Sequence, residues 1–180
     1  MKTYFFIQLA LFTIAFTSCN LTNESNYSPE LYAWASHINK TDTINQYLTD
    51  EGGVRRTDTI NVGDTLVFIM YLNGVTNNLK NFYLTQSDST ISKILLPVET
   101  SMDSIFSKSE SNYSKGQFIF LPKITSVFFP VRYIALKPTI TEYIQLTLES
   151  DVNSKSTAGD NSVSFKLKIP AIEKPNAIKK

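Results

Sequence analysis

Residues 143–148 (YIQLTL) and residues 162–169 (SVSFKLKI) decide the fold of this 180-residue chain. In both stretches apolar and polar side chains alternate, so that Ile144 and Leu146 fall on one side and Gln145 falls on the other. A period of two residues is that of a β-strand, whose successive side chains point to opposite faces of a sheet. Each stretch therefore predicts a strand with one face against a core and the other in water.

Strand-like segments recur along most of the chain after residue 30. Residues 65–72 (TLVFIMYL) form a nearly continuous apolar run, which suits a strand that is buried on both faces or lies in a sandwich core. Turn signals such as Asn73-Gly74 separate neighbouring segments. Further strands are predicted at residues 31–38, 57–62, 79–84, 90–96, 117–121 and 127–136.

Short strands separated by turns predict an all-β fold, a single immunoglobulin-like β-sandwich. No helices are indicated between the strands, which excludes α/β folds. The best helix candidate is residues 100–107, within a polar segment at 98–115 that we expect to be mainly a long loop. Pro130 lies inside an apolar strand segment and is expected at an edge or a bulge, because proline cannot donate to a sheet ladder.

The N-terminus carries the pattern of an export signal. Lys2 supplies a positive charge, residues 4–16 (YFFIQLALFTIAF) are mostly apolar, and the small residues Thr17 and Ser18 precede Cys19. A helix that spans a bilayer needs about 20 apolar residues, so this shorter run favours a cleaved signal peptide. The predicted divisions are a signal peptide at residues 1–18, a tether at 19–29, a sandwich domain at 30–172 and an exposed tail at 173–180.

Residues 16–19 (FTSC) resemble the lipobox of bacterial lipoproteins. Phe16 stands where an aliphatic residue is usual, and such relaxed boxes resemble those of Bacteroidetes lipoproteins. The resemblance implies that Cys19 becomes the mature N-terminus and carries acyl chains such as palmitate, which would attach the protein to a membrane. Two or three chains hold a protein far more firmly than one, which binds only marginally. The alternative is that Cys19 is a buried cysteine or an ordinary residue just past a cleavage site.

The same resemblance implies that the lipid lies in the outer membrane. Bacteroidetes lipoproteins exported to the cell surface often carry an acidic cluster just after the cysteine, and here Glu24 is the one acidic residue of the tether. Both the periplasmic face and the cell-surface face of that membrane therefore stay open.

Three segments extend the resemblance into the domain. Residues 62–68 (VGDTLVF), 77–82 (NNLKNF) and 165–170 (FKLKIP) are similar to the early and final strands of immunoglobulin-like domains of unknown function in Bacteroidetes lipoproteins. These motifs are structural, so the resemblance implies a fold and an envelope location but no activity.

Charge and cysteine content exclude several classes of function. Loss of Lys2 with the signal takes the basic count from 17 to 16, equal to the 16 acidic residues. No excess positive charge is then available to hold a nucleic acid. Acylation of Cys19 leaves no thiol for a disulfide, a nucleophile or a thiolate metal site.

Groups that could catalyse a reaction or bind a metal are scarce. His37 is the one histidine, and a structural role in a strand is the simpler interpretation, although a serine triad around it stays open. The sequence has no Gly-x-Ser-x-Gly elbow, and one histidine cannot form the familiar zinc spacings. The acidic loops at residues 50–53 and 151–161 suit solvated turns better than calcium sites. We therefore expect no enzyme activity, no metal and no cofactor.

Asp followed by Ser or Thr, and then by an aliphatic residue or Thr, occurs five times. This pattern is similar to the O-glycosylation signal of exported Bacteroidetes proteins, which implies that some of these hydroxyls are modified. The pattern also arises where a turn enters a strand, because Asp favours turns while Thr and Ile favour strands. Both interpretations stay open, and the candidate hydroxyls are those of Thr43, Thr59, Thr65, Ser89 and Ser104.

Nine tyrosines, twelve phenylalanines and one tryptophan make the chain rich in aromatic residues. Exposed rings could stack on sugars, although most large aromatics of a sandwich lie in its core. We expect a non-catalytic, lipid-anchored cell-envelope protein that acts as a binding or structural module for a protein or a glycan. The alternative is an accessory glycan-binding lipoprotein of a polysaccharide-uptake system. The candidate sugar-stacking residues are Tyr32, Trp34, Tyr47, Tyr83, Tyr113 and Tyr133.

Overall fold

Strands make up most of the regular structure in the computed structural model of the chain. The structure describes residues 28–37, 46–48, 54–151 and 161–174. Within these ranges lie twelve strands, one turn of α-helix (α1, Glu99–Met102) and a 3₁₀ helix (Tyr113–Lys115). The strands are β1 (Glu30–His37), β2 (Gln46–Leu48), β3 (Val54–Thr57), β4 (Ile60–Asn61), β5 (Thr65–Asn73), β6 (Leu79–Gln86), β7 (Ser92–Leu95), β8 (Gln117–Ile119), β9 (Ser126–Ala135), β10 (Tyr143–Ser150), β11 (Ser162–Lys168) and β12 (Ala171–Ile172).

Two sheets pack against each other and enclose one hydrophobic core. The four-stranded sheet is antiparallel and has the order β1-β5-β9-β7. The six-stranded sheet has the order β2-β3-β11-β10-β6-β8, and a small third sheet pairs β4 with β12. This arrangement confirms the predicted all-β sandwich.

The order of the strands matches immunoglobulin-like connections. Such sandwiches place strands A, B, E and D in one sheet and C, F and G in the other. Here β1, β5, β9 and β7 occupy the A-B-E-D positions, while β6, β10 and β11 are neighbours in the C-F-G positions. One departure is β8, which follows β7 in the chain but pairs with β6 in the other sheet. Between β7 and β9 the chain therefore crosses to the six-stranded sheet and back.

The alternation in the sequence accounts for the packing. Ile144, Leu146 and Leu148 of β10 point into the core and are buried, while the residues between them are partly exposed. In β5 the buried set includes Leu66 and Phe68, whereas the alternate residues lie on the outer face of the four-stranded sheet. The suggestion that β5 is buried on both faces is therefore wrong, and its inner face alone forms core.

Phenylalanine rings fill the end of the core beneath β8 and β9. The ring of Phe106 lies 5.1 Å from that of Phe118 and 5.4 Å from that of Phe129, in tilted and edge-on contacts. Phe106 comes from the segment in which a helix over residues 100–107 was the candidate. Only α1 forms there, because Phe106 makes a β-bridge with Phe120 and draws the chain out of helical geometry.

The single strand predicted at residues 57–62 is wrong, because the chain changes sheets within it. β3 ends at Thr57 in the six-stranded sheet, where it runs parallel to β11. β4 begins at Ile60 and pairs with β12, and the amide of Ile60 donates to the carbonyl of Pro170 at 3.0 Å.

Pro130 lies in the part of β9 that has one neighbour. The pairing of β9 with β5 runs from Ser126 to Ile134 without a shift in register, whereas β7 pairs only with residues 132–135. At Pro130 the side of β9 away from β5 is therefore a sheet edge, which confirms the edge position and shows no bulge.

Candidate functional site

The outer face of the four-stranded sheet collects exposed apolar side chains. Of the nine large hydrophobic residues that are exposed in the described ranges, four lie on this face: Tyr32 (42%), Trp34 (52%), Ile69 (44%) and Phe128 (62%). We call this surface the aromatic face and define it by Tyr32, Trp34, Ile69, Tyr71, Phe128 and Pro130.

Strand register arranges these side chains in two rows that cross three strands. Tyr32 of β1 pairs with Tyr71 of β5, and Tyr71 pairs with Phe128 of β9. The next row, two residues along each strand, contains Trp34, Ile69 and Pro130. Rows two residues apart are separated by about 6.8 Å and neighbouring strands by about 4.8 Å. The aromatic face is therefore a continuous apolar surface, not a set of scattered residues.

The rings of the aromatic face contact one another. Tyr32 stacks on Trp34 with centroids 5.9 Å apart and planes 10° apart, and on Tyr71 with centroids 6.4 Å apart. The Tyr71 ring in turn lies 4.9 Å from that of Phe128. Cross-strand aromatic pairs stabilise a sheet. These contacts therefore hold the exposed side chains in place.

Polar residues border the aromatic face at both ends. Beyond the Tyr32 row, the side-chain amide of Asn73 donates to a carboxylate oxygen of Glu30 at 3.0 Å. Beyond the Trp34 row, Arg132 and then Lys93 project from the same side of β9 and β7, and both are exposed. An apolar patch with a polar rim is typical of an interaction surface.

The outer face of the six-stranded sheet is polar by comparison. The hydroxyls of Thr147 and Ser164 lie 2.8 Å apart, and the amide of Asn81 donates to Glu149 at 2.6 Å. Side chains of this kind are what a solvated sandwich face requires. The contrast between the two outer faces identifies the aromatic face as the candidate binding surface.

The six predicted sugar-stacking residues do not come together. Tyr32 and Trp34 lie side by side on the aromatic face, whereas Tyr83 lies on the outer face of the six-stranded sheet. Tyr113 lines a cleft, and Tyr133 is buried at 1% exposure, so its prediction as a sugar-stacking residue is wrong. The side chain of Tyr47 lies outside the described part of the chain.

Sequence reasoning missed Tyr71 and Phe128, because both parities of β5 and β9 are largely apolar. Residues 127–136 read VFFPVRYIAL, so the pattern alone cannot say which set points inward. Arg132 is the residue that indicates the orientation of β9, because a charged side chain is expected on the outer face of a sheet. Phe128 is four residues away and therefore lies on the same face as Arg132.

A cleft opens where β6 and β7 diverge beside the 3₁₀ helix. It consists of two adjoining openings of about 390 and 340 Å³, which share Ile94, Leu96, Tyr113 and Ser114. Burial raises the pKa of the Tyr113 phenol, and the carboxylates of Asp103 and Glu99 raise it further. The lining that the two openings share is mainly apolar, whereas Thr85, Gln86 and Lys115 add polar groups to the larger opening.

Metal-ligating side chains do not cluster in the described residues. These residues contain no group of three or more His, Cys, Asp or Glu side chains that could hold a metal ion. Glu99 and Asp103 are near each other, but the ammonium of Lys108 lies 3.7 and 3.8 Å from their carboxylates and offsets their charge. The backbone of His37 pairs with Leu66, and its side chain lies outside the description.

Two predicted modification sites lie in exposed loops and a third follows α1. Thr59, between β3 and β4, and Ser89, between β6 and β7, are exposed. Ser104 is also exposed, and its hydroxyl donates to the carbonyl of Ser101 at 3.0 Å. Thr65 is half-buried at the start of β5, while Thr43 and the lipidation site Cys19 lie outside the described residues. Modification at these sites stays a prediction.

The aspartates of this pattern also have a structural role. The carboxylate of Asp64 accepts from the amide of Asn61 at 3.1 Å, and that of Asp88 accepts from the amide of Thr90 at 2.7 Å. The hydrogen bond from Thr90 lowers the pKa of Asp88. Turn formation therefore accounts for the aspartate at two of the five motifs.

A buried polar cluster ties the two sheets together at the β6–β7 crossover. Glu142, just before β10, is 1% exposed. One of its carboxylate oxygens accepts from the hydroxyl of Ser87 at 2.6 Å, and the other accepts from that of Ser92 at 2.9 Å. Ser87 follows β6 of the six-stranded sheet and Ser92 begins β7 of the four-stranded sheet, so one side chain links both layers.

Tyr133 adjoins this cluster and gives a pH-dependent prediction. Burial raises the pKa of its phenol to about 12, with smaller opposing effects of Ser92, which lowers it, and Glu142, which raises it. An unfolded tyrosine ionises near pH 10. Stability from Tyr133 is thus complete below pH 10 and is lost as the pH rises towards 12, by about 2 kcal/mol. In urea unfolding, Tyr133→Phe should flatten this decline. Tyr83→Phe should flatten it less, because burial and the carboxylate of Glu149 raise the pKa of the more exposed Tyr83 as well. Equal slopes for wild type and Tyr133→Phe would contradict the assignment.

Comparisons with known proteins do not assign the chain to a family. No family model matches it, and no curated protein matches it significantly. A family 123 glycoside hydrolase from Clostridium perfringens, solved to explain glycolipid glycan hydrolysis, is similar with 16% identity over 81% of this chain and 28% of that chain. Its TM-score is 0.25, which is too low to indicate a shared fold or function. In the described part of the chain, we find no helix long and apolar enough to cross a membrane.

Proposed function

We propose that the chain is a non-catalytic, lipid-anchored protein of the cell envelope that acts as a contact module through its aromatic face. The single observation that carries the contact role is the exposure of Tyr32, Trp34, Ile69 and Phe128 on one sheet face. The anchor rests on the sequence around Cys19, and the outer membrane is the compartment that its resemblance implies.

The contact role follows from the cost of leaving such a surface in water. Covering apolar area contributes about 25 cal/mol per Å², so a partner that covers four large side chains gains several kcal/mol. The rings are also held in position by one another, so that binding orders few side chains. A rigid apolar surface with a polar rim is therefore suited to a permanent or repeated contact.

Glycan binding is the second candidate, because Tyr32 and Trp34 are exposed with nearly parallel rings. Ring faces of this kind can stack on the apolar face of a pyranose. Tyr32 already stacks on both Trp34 and Tyr71, which leaves less of its ring free for a sugar. The test is migration in native gels that contain starch, xylan or laminarin. Retardation that Trp34→Ala removes and Tyr83→Ala keeps would favour glycan binding, and unchanged migration would exclude these glycans.

Cys19→Ala tests the anchor. In native cells fed labelled palmitate, the wild-type chain should carry the label and sediment with membranes. The variant should carry none, because it lacks the acylated thiol. Equal labelling of the two chains, or no label on wild type, would overturn the anchor. Protease added to intact cells then separates a surface location, where the chain is cut, from a periplasmic one.

A further inference from the structure

We propose that the aromatic face lies against the lipid surface in which the acylated Cys19 is anchored. The inference deepens the proposed function by naming the partner of the same face, and it rests on the proposed anchor. Three features carry it: the length of chain between the anchor and the face, the residue types of the face, and the positions of its charges.

The tether leads directly to the face. Ten residues separate Cys19 from Glu30, where β1 begins. An extended chain spans at most about 3.6 Å per residue, so the start of β1 stays within about 40 Å of the lipid. β1 then supplies Tyr32 and Trp34 within its first five residues. The aromatic face thus lies close to the point at which the tether enters the domain. Because the tether is short, the membrane stays at a high effective concentration near this face.

The side chains of the face are those that suit a membrane interface. Tryptophan and tyrosine prefer this region, where an apolar ring and a polar tip meet different surroundings. Trp34 and Tyr32 contribute such groups, while Phe128, Ile69 and Pro130 add apolar surface between and beside them. The two rows lie on one sheet face, so a nearly planar lipid surface can reach both together.

The charges at the rim fit lipid headgroups. Arg132 and Lys93 are exposed at the end beyond the Trp34 row, and long basic side chains can extend from an apolar contact to phosphate groups. At the opposite end the carboxylate of Glu30 accepts a hydrogen bond from the side-chain amide of Asn73. This hydrogen bond lowers the free-energy cost of placing the carboxylate near a headgroup layer. Contact with phosphate at the Arg132 end therefore complements burial of the rings.

Trp34 is the only tryptophan of the chain, so its fluorescence reports on this face alone. The acylated mature chain, residues 19–180, is reconstituted in vesicles of phosphatidylcholine with a minority of phosphatidylglycerol, with and without bromine on the acyl chains. We expect a blue shift and at least about a twofold loss of Trp34 emission in the brominated vesicles. Equal emission in both kinds of vesicle would overturn the inference.

Residues 19–180 with Cys19→Ala, which lack both the acyl chains and the apolar segment at residues 4–16, separate this inference from the anchor when they are titrated with the same vesicles. Quenching of Trp34 at high vesicle concentration would support the face contact even if palmitate labelling had failed. Phe128→Ser should weaken this partitioning about tenfold, because it removes a large exposed apolar side chain. Tyr83→Ser, on the opposite outer face, should leave it unchanged.

Other occupants of the face give different results. A second copy would double the mass in solution and shield Trp34 from acrylamide without vesicles, which would overturn the inference. A glycan would leave Trp34 unquenched in brominated vesicles but change its emission when soluble polysaccharide is added, which would overturn the inference as well. Labelled Cys19 with unquenched Trp34 would leave the anchor standing and remove only the membrane contact.

Discussion

Gly116→Ala is expected to lower the free energy of unfolding by about 4 kcal/mol, a large share of the 5–15 kcal/mol typical of a domain. Gly116 ends the 3₁₀ helix with φ of 65° and ψ of 34°, a left-handed conformation that costs other residues about 1–2 kcal/mol. A Cβ atom built there would also overlap the carbonyl oxygen of Leu84. That carbonyl belongs to β6, so the sheet itself would have to move.

The overlap matters because Gly116 fastens β8 to the six-stranded sheet. The amide of Leu84 donates to the carbonyl of Gly116 at 2.9 Å, next to the Tyr83–Gln117 pair of β6 and β8. Displacement of Gly116 would therefore break this bond and loosen β8, which carries the buried Phe118.

Gly63→Ala is the matched control for this prediction. Gly63 also has a positive φ, 86°, but a Cβ atom there meets nothing within 4 Å. Gly63→Ala should lower the free energy of unfolding by about 1 kcal/mol, from backbone strain alone. Urea unfolding of both variants measures the difference, which isolates the contact with β6. Equal losses would show that Gly116 acts only through its backbone conformation.

The sequence predicts the orientation of a strand when every second residue is polar, because those residues must then lie on the outer face. In β10 and β11 this is the case, and the inward positions of Ile144, Leu146 and Leu167 follow directly. In β5 and β9 both parities are apolar, because the outer face of the four-stranded sheet is itself apolar. The feature that hides the orientation of Tyr71 and Phe128 is thus the one that makes the face a candidate site.

Other parts of the structure leave no local trace in the sequence. Phe106 lies in a polar, serine-rich segment, and only the distant partners Phe118 and Phe129 make it a core residue. Glu142 has the appearance of a surface glutamate, since acidic residues are seldom fully buried. Its hydroxyl partners lie 50 and 55 residues away, a separation at which no periodicity can indicate contact.

Glu142→Ala is expected to lower the free energy of unfolding by about 3 kcal/mol. The change leaves the buried hydroxyl of Ser92 without its acceptor, and an unpaired buried polar group costs about 1–3 kcal/mol, whereas water can replace the acceptor of the exposed Ser87. It also leaves space beside the buried phenol of Tyr133, where the lost side chain was packed between the two layers. The loss should appear as a lower urea midpoint with a native circular dichroism spectrum in dilute buffer.

Glu149→Ala provides the control for charge and composition, because Glu149 also accepts a hydrogen bond, from Asn81, but lies half-exposed on the outer face of the six-stranded sheet. Water can replace this bond, so the loss should be 1 kcal/mol or less, about a third of that at Glu142. Glu142→Gln should fall between the two, since an amide fills the same space and offers one acceptor oxygen. In a double-mutant cycle, Glu142→Ala combined with Ser92→Ala should cost less than the sum of the separate changes, because each removes the same bond. If the losses are additive, the carboxylate does not hold β7 through Ser92, and the link between the sheets must be assigned elsewhere in the core.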